Sequence, residues 1–155
     1  MNAPYLHLVT VHLPVVGLMA ALVILIASQF RKDEFLNKLG YSFVLFCAVT
    51  ACIAYFTGGA TYESLESRLT EARPIIEDHA IIGRAAFVGM ILLGVAVLSA
   101  FFQYWQEEKP AAWHRWAILI ATVALCYILA WTAHLGGQVR HDEIRGVPSV
   151  FPALP

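Results

Sequence analysis

Four long apolar stretches, almost free of Asp, Glu, Lys and Arg, constrain this sequence more than any other feature. Each is long enough to cross the roughly 30 Å hydrocarbon layer of a membrane as a helix. Because lipid cannot hydrogen-bond to the backbone, such segments must be helical. The sequence therefore predicts one all-α, integral-membrane domain over residues 1–155, whose spans cover about residues 6–30, 39–62, 80–106 and 114–138.

Composition favours a membrane protein over a very apolar soluble bundle. The chain is 59% hydrophobic and 14% charged, and its mean hydropathy is +0.68. Soluble domains carry about 25% charged residues, so this chain lies well outside their range. The net charge of −1 and the lack of a basic patch exclude a nucleic-acid-binding protein.

The connections between the spans predict an up-down-up-down four-helix bundle. Two links are short, at residues 31–38 and 107–114, and short links make neighbouring helices antiparallel. The longest link, residues 63–78, is predicted to be an amphipathic loop on the membrane surface. Residues 146–155 contain three prolines without helical periodicity and are predicted to be an extended tail. No internal repeat is evident, although the first and third spans both begin at a histidine.

The orientation of the predicted bundle in the membrane follows only from secondary features of its charge distribution. Lys and Arg are divided equally between its two ends, so the positive-inside rule gives no decision. All lysines, however, lie at the short-link end, and most acidic residues lie at the other end. We expect a multi-pass protein of the bacterial inner membrane with both termini on the periplasmic side.

Five of the six histidines fall at the end of the predicted bundle that carries both termini. Neutral imidazole is a good ligand for haem iron and transition metals. Ionisable side chains at membrane depth are functional candidates. A single such histidine is more often an interfacial anchor, but the group favours a haem or metal site. The candidate ligands are His7, His12, His79, His134 and His141.

Several residues beside these histidines are predicted to complete the site. Gly83 leaves room for a flat group, and Arg84 either snorkels to the interface or pairs with a haem propionate. Gly136 and Gly137 are predicted to end the fourth helix beside the site, as the Gly58–Gly59 pair is for the second helix. The sixth histidine lies at the opposite end between two tryptophans and is predicted to be an aromatic-belt anchor.

The remaining motifs favour haem b as the cofactor. No C-x-x-C-H sequence is present, which excludes covalently attached haem. The cysteines lie inside the predicted spans, away from the histidines, which disfavours zinc. Haem b needs two axial imidazoles and apolar walls, which the chain offers. One or two haems fit and two are favoured, with His12, His79 and His134 as the first choice of ligands and His7 and His141 completing the set.

The opening HLVTVHLP resembles the H-P-x-x-V-H-F-P opening of a widespread bacterial family of uncharacterised four-helix membrane proteins. His7, Val11, His12 and Pro14 match it, whereas Leu8 and Leu13 replace its first proline and its phenylalanine. His79 matches the histidine that opens the family's third helix. The ending HLGGQVRH resembles the H-x-G-G-x-x-x-H ending of members related to cytochrome-containing proteins. The resemblance implies haem-binding electron transfer and names no substrate.

These observations together predict a b-type cytochrome subunit that carries electrons near one membrane face. The expected partners are other subunits of a respiratory or photosynthetic complex, a multihaem or c-type cytochrome, quinol and the lipid bilayer. We expect an electron-transfer subunit without a catalytic residue of its own. Two alternatives stay open: a cofactor-free anchor subunit whose histidines are interfacial, and a small copper- or proton-handling protein.

Overall fold

The computed structural model describes residues 3–65, 72–141 and 144–145, and they form an all-α bundle. The order of the helices confirms the predicted up-down-up-down architecture. The predicted tail, residues 146–155, lies outside the described residues. The helices are α1 (Ala3–Arg31), α2 (Glu34–Leu65), α3 (Arg73–Trp105) and α4 (Ala112–Arg140).

All four helices are long and apolar enough to cross a membrane. At 1.5 Å per residue they extend about 43–50 Å, well beyond the hydrocarbon layer. Helices α2 and α3 therefore reach into the link predicted as a loop over residues 63–78, whose central part lies outside the described residues. His79 consequently lies nearly two turns inside α3, which begins at Arg73 rather than at the histidine.

Neither glycine pair ends its helix, so this expectation was wrong. Helix α2 continues past Gly58 and Gly59, and α4 continues past Gly136 and Gly137 to Arg140. A glycine costs a helix about 1 kcal/mol relative to alanine. Interrupting a helix within or near lipid costs more, because each freed backbone group must find another partner.

The helices form a four-sided bundle in which each packs against the preceding and following helix, and α1 also packs against α4. Contact is closest between α1 and α2. A Cβ on Gly17 of α1 would lie 2.7 Å from Cys47 Sγ, and one on Gly40 of α2 would lie 2.7 Å from Leu25 Cδ2. Small residues thus bring these two helices together, which is how membrane helices associate without a hydrophobic driving force.

Apolar side chains also cover the outside of the bundle. Val16, Val23, Leu92 and Ile120 are each about half or more exposed, although they lie in the middle of their helices. In water this surface would drive aggregation, whereas in a bilayer lipid tails cover it. The outer surface therefore supports the membrane-spanning architecture independently of helix length.

The hairpin α3–α4 repeats the hairpin α1–α2, a repeat that was not evident from the sequence. One constant difference in residue number relates His7 and Gly17 of α1 to His79 and Gly89 of α3. A second constant difference relates Cys47 of α2 to Leu125 of α4. The packing follows the same correspondence. A Cβ on Gly17 would meet Cys47, and one on Gly89 would meet Leu125 Cδ2 at 2.5 Å. An approximate twofold axis along the bundle therefore relates the two hairpins.

Candidate histidine site

His7 of α1 is held against α2 by a backbone hydrogen bond. Its Nδ1 atom lies 2.9 Å from the carbonyl oxygen of Ala54 and 3.4 Å from Thr57 Oγ1. A Cβ on Gly58 would lie only 3.2 Å from Cε1 of the ring. In a helix, the residue four positions after a carbonyl group lies beside that carbonyl. Gly58 has this position relative to Ala54. Because it has no side chain, the His7 ring can reach the Ala54 oxygen, which also accepts a hydrogen bond within α2.

His79 of α3 repeats this arrangement on α4. Its Nδ1 lies 2.9 Å from the carbonyl oxygen of Thr132, and a Cβ on Gly136 would lie 3.1 Å from Cε1. Gly136 again follows the accepting residue by four positions. The two histidines thus make equivalent contacts, since each bonds through Nδ1 to a carbonyl of the following helix and has a glycine beneath its ring.

The carbonyl bonds fix the tautomer of both imidazoles. A carbonyl oxygen can only accept, so Nδ1 must carry the hydrogen that is donated. In a neutral imidazole Nε2 then carries the lone pair and can bind a metal. A metal-binding histidine usually has this arrangement, in which one ring nitrogen donates to a carbonyl or carboxylate while the other binds the metal.

His7 and His79 lie at the same end of the bundle, in α1 and α3. Both are partly buried. The helices that carry them occupy opposite corners of the four-sided bundle. The structure therefore places two equivalent imidazoles at one end of the bundle, on helices that lie diagonally to each other.

His12 and Arg84 do not join this pair. His12 is exposed on the outer side of α1, and Arg84 is exposed at the corresponding position of α3. His12 was predicted as a first-choice ligand, but five residues rotate its side chain by about 140° around the helix relative to His7. Both side chains face lipid or a neighbouring protein rather than the centre of the bundle.

The remaining predicted residues lie near the end of α4. His134 is half-buried and its Nε2 atom is buried, whereas His141 is exposed and caps α4 through its backbone N–H to Gly137 O, 2.9 Å away. Gly83 and Gly137 have ordinary van der Waals surroundings: their added Cβ atoms would have their nearest neighbours at 3.8 Å. Among the three predicted site glycines, only Gly136 lies close to a histidine ring in the described structure.

His114, at the opposite end, is buried between α3 and α4 rather than exposed as a belt residue. Its Nε2 lies 3.1 Å from Ala96 O and 3.3 Å from Ser99 Oγ, and its Nδ1 lies 3.3 Å from Gln103 Nε2. Both ring nitrogens therefore have protein partners, and Trp113 stacks beside the ring. The earlier expectation was wrong, and His114 serves as an interhelical hydrogen-bonding residue.

Within the described part of the chain, no group of three or more His, Cys, Asp or Glu side chains is arranged to hold a metal ion. Zinc and copper sites usually draw three or four ligands from the protein. Haem iron takes four nitrogens from the porphyrin and needs at most two from the protein. His7 and His79 supply two imidazole donors, fewer than a zinc or copper site usually draws from a protein.

A family model described as "Predicted membrane protein (DUF2231)" matches residues 3–146, nearly the whole chain. The chain belongs to the DUF2231 family. The family's function is uncharacterised, so the match supports the membrane architecture and adds nothing in favour of haem. Comparison with curated proteins and with solved structures finds no match.

Proposed function

We propose that this DUF2231 protein binds haem b and that His7 and His79 would hold its iron. One observation carries the proposal: two equivalent imidazoles at one end of the bundle each donate Nδ1–H to a helical carbonyl at 2.9 Å. This bond leaves each Nε2 with its lone pair and holds the ring in place. The glycine beneath each ring permits that geometry.

Haem would supply a reversible one-electron couple, and the protein residues would set its environment. His7 and His79 would hold the iron, and the carbonyls of Ala54 and Thr132 would strengthen both imidazoles as ligands. The apolar surroundings of the bundle would limit access of water and thereby tune the reduction potential. The residues required for these tasks belong to the helices themselves and not to loops.

The one-ended position of the histidine pair supports a role near a single membrane face. At the other end, both ring nitrogens of His114 already have protein partners. We therefore infer that the protein exchanges electrons between quinol or a partner subunit and a peripheral cytochrome. Our proposal places this exchange at the periplasmic face of the bacterial inner membrane, within a larger electron-transfer complex.

The geometry favours one haem over the two expected from the sequence. A single bis-histidine haem would use both members of the matched pair. A second would need two ligands from His12, which is exposed on α1, and from His134 and His141 near the end of α4. The exposed His12 would be available to a cofactor shared with a neighbouring subunit.

The cofactor-free alternative keeps a specific observation in its favour. Each Nδ1 bond joins the two helices of one hairpin, so the histidines would stabilise the hairpins even without a ligand. In that case the protein would be an anchor subunit. The copper alternative is weaker, because the described residues hold no cluster of three candidate ligands.

A reduced-minus-oxidised absorption spectrum of the purified full chain separates these alternatives. We expect a b-type α-band, with haem that extracts into acidified acetone. His7→Ala and His79→Ala should each abolish or greatly weaken haem binding, whereas His114→Ala should keep the spectrum. A colourless preparation that takes up no added haem would refute the proposal and favour the anchor subunit.

A further inference from the structure

A pocket lies at the short-link end of the bundle, opposite the end that carries His7 and His79. It is partly open to solvent and lies between the α1–α2 and α3–α4 links. Its lining includes Lys32, Glu34, Asn37, Tyr104, Lys109 and Arg115. The same differences in residue number relate Lys32 to Tyr104 and Asn37 to Arg115. These four lining residues therefore form two pairs of equivalent positions.

The pocket has an excess of positive charge. Three cationic side chains line it against one carboxylate, Glu34. The Glu34 carboxylate is already engaged, since it lies 2.6 Å from Lys38 Nζ and 3.6 Å from Lys109 Nζ. In the described part of the chain, Lys32 and Arg115 take part in no ion pair with an acidic residue.

Buried donors at this end have unused hydrogen-bonding capacity. The Nε atom of Arg115 is buried and has no hydrogen-bond partner within the described structure, and the same holds for the Tyr41 hydroxyl. A buried guanidinium donor without a partner is costly, and an acceptor entering the pocket would remove that cost.

The first turn of α4 adds further donors. Its N-cap residue, Ala111, provides no side-chain hydrogen bond to the helix, whereas Asp33 Oδ1 caps α2 by accepting from Phe35 N at 2.8 Å. An uncapped helix N-terminus presents backbone N–H groups and a partial positive charge. This N-terminus lies beside the pocket, because Pro110 and Arg115 belong to the pocket lining.

From this pocket we infer a binding site for a phosphate group, supplied by the headgroup of an anionic membrane lipid. The guanidinium of Arg115 and the ammonium of Lys32 match phosphate oxygens in charge and in donor number. The pocket lies at the end of membrane-spanning helices, at the level of lipid headgroups, where basic pockets between helices bind such lipids. Free inorganic phosphate has the same chemistry and is the competing source.

Native mass spectrometry of the detergent-purified full chain tests this site. Phosphatidylglycerol should bind as one retained molecule, and phosphatidylcholine, whose headgroup carries no net charge, should bind more weakly. Lys32→Gln and Arg115→Gln should each weaken phosphatidylglycerol binding by about fivefold, the usual effect of one basic residue at a membrane surface. Arg31→Gln removes the same charge one residue away from the pocket lining and should leave binding unchanged.

The outcomes separate the two phosphate sources and the absence of a site. Inorganic phosphate should displace phosphatidylglycerol from the chain in which Lys32 and Arg115 are both intact, and from no variant at either position. That result would support recognition of the phosphate group itself. Equal retention of the two lipids, or equal losses in Arg31→Gln and Lys32→Gln, would overturn the inference. Should Arg115→Gln fail to fold, the exposed Lys32→Gln variant decides the result alone. Haem content is independent of this outcome.

Discussion

Substituting Gly136 by alanine tests the histidine geometry with the smallest possible change. The added Cβ would lie 3.1 Å from Cε1 and 3.5 Å from Nδ1 of His79. The ring must therefore move by a few tenths of an ångström, and the 2.9 Å bond from Nδ1 to Thr132 O must lengthen. Gly58→Ala should disturb His7 in the same way, since its Cβ would lie 3.2 Å from that ring.

Two opposing effects keep the expected change in stability small. Weakening one hydrogen bond costs about 0.5–1.5 kcal/mol. Replacing glycine by alanine inside a helix gains roughly 1 kcal/mol. The free energy of unfolding should therefore change by no more than about 1 kcal/mol. Haem affinity should fall much more, by about 10–100-fold, because the carbonyl bond orients the ligand and raises its basicity.

Haem titration of the apoprotein, followed at the Soret band, measures this effect, and unfolding in denaturant measures stability. Gly59→Ala is the matched control, because nothing lies within 4 Å of its added Cβ. It should gain up to roughly 1 kcal/mol of stability and keep full haem affinity. Equal haem affinities for Gly136→Ala and Gly59→Ala would show that the carbonyl bond has no part in ligand binding.

Three further predictions concern the rest of the molecule. His114→Ala should lower stability by about 1–3 kcal/mol in thermal or denaturant unfolding, because it removes a buried ring and its hydrogen bonds to α3, while the haem spectrum stays the same; loss of haem would contradict this assignment. Reporter fusions at residue 35 and at the C-terminus should give opposite signals, with the C-terminal one periplasmic; equal signals would mean that one helix does not cross. Deleting residues 146–155 should weaken co-purification of redox partners without loss of haem, and unchanged co-purification would remove the tail from the interface.

The sequence predicted the fold well because its strongest signals are physical constraints on membrane segments. Charge-free stretches, short links and the cost of an unbonded backbone in lipid define four antiparallel helices. The same constraint explains the main error. Glycine pairs such as Gly136–Gly137 end helices in water, but α4 continues through its pair to Arg140.

The site was only partly predictable from the sequence. His7 and His79 were among the candidates, but their equivalence was hidden because few residues other than histidine and glycine repeat between the hairpins. Leu18 in the first corresponds to Met90 in the second, for example, and both are fully buried. The role of Gly58 was also missed. Gly58 and Gly136 each lie four residues after the carbonyl that accepts a hydrogen bond from a histidine. This pattern can be recognised only when the two hairpins are compared.

The electron paramagnetic resonance spectrum of the oxidised protein tests the central claim most directly. Haem held by His7 and His79 should give the low-spin signal of bis-imidazole iron. His79→Ala should convert the remaining haem to a high-spin signal, and added imidazole should restore the low-spin one by occupying the vacated position. A high-spin signal in the wild type, or an unchanged low-spin signal in both His7→Ala and His79→Ala, would contradict the proposed ligand pair.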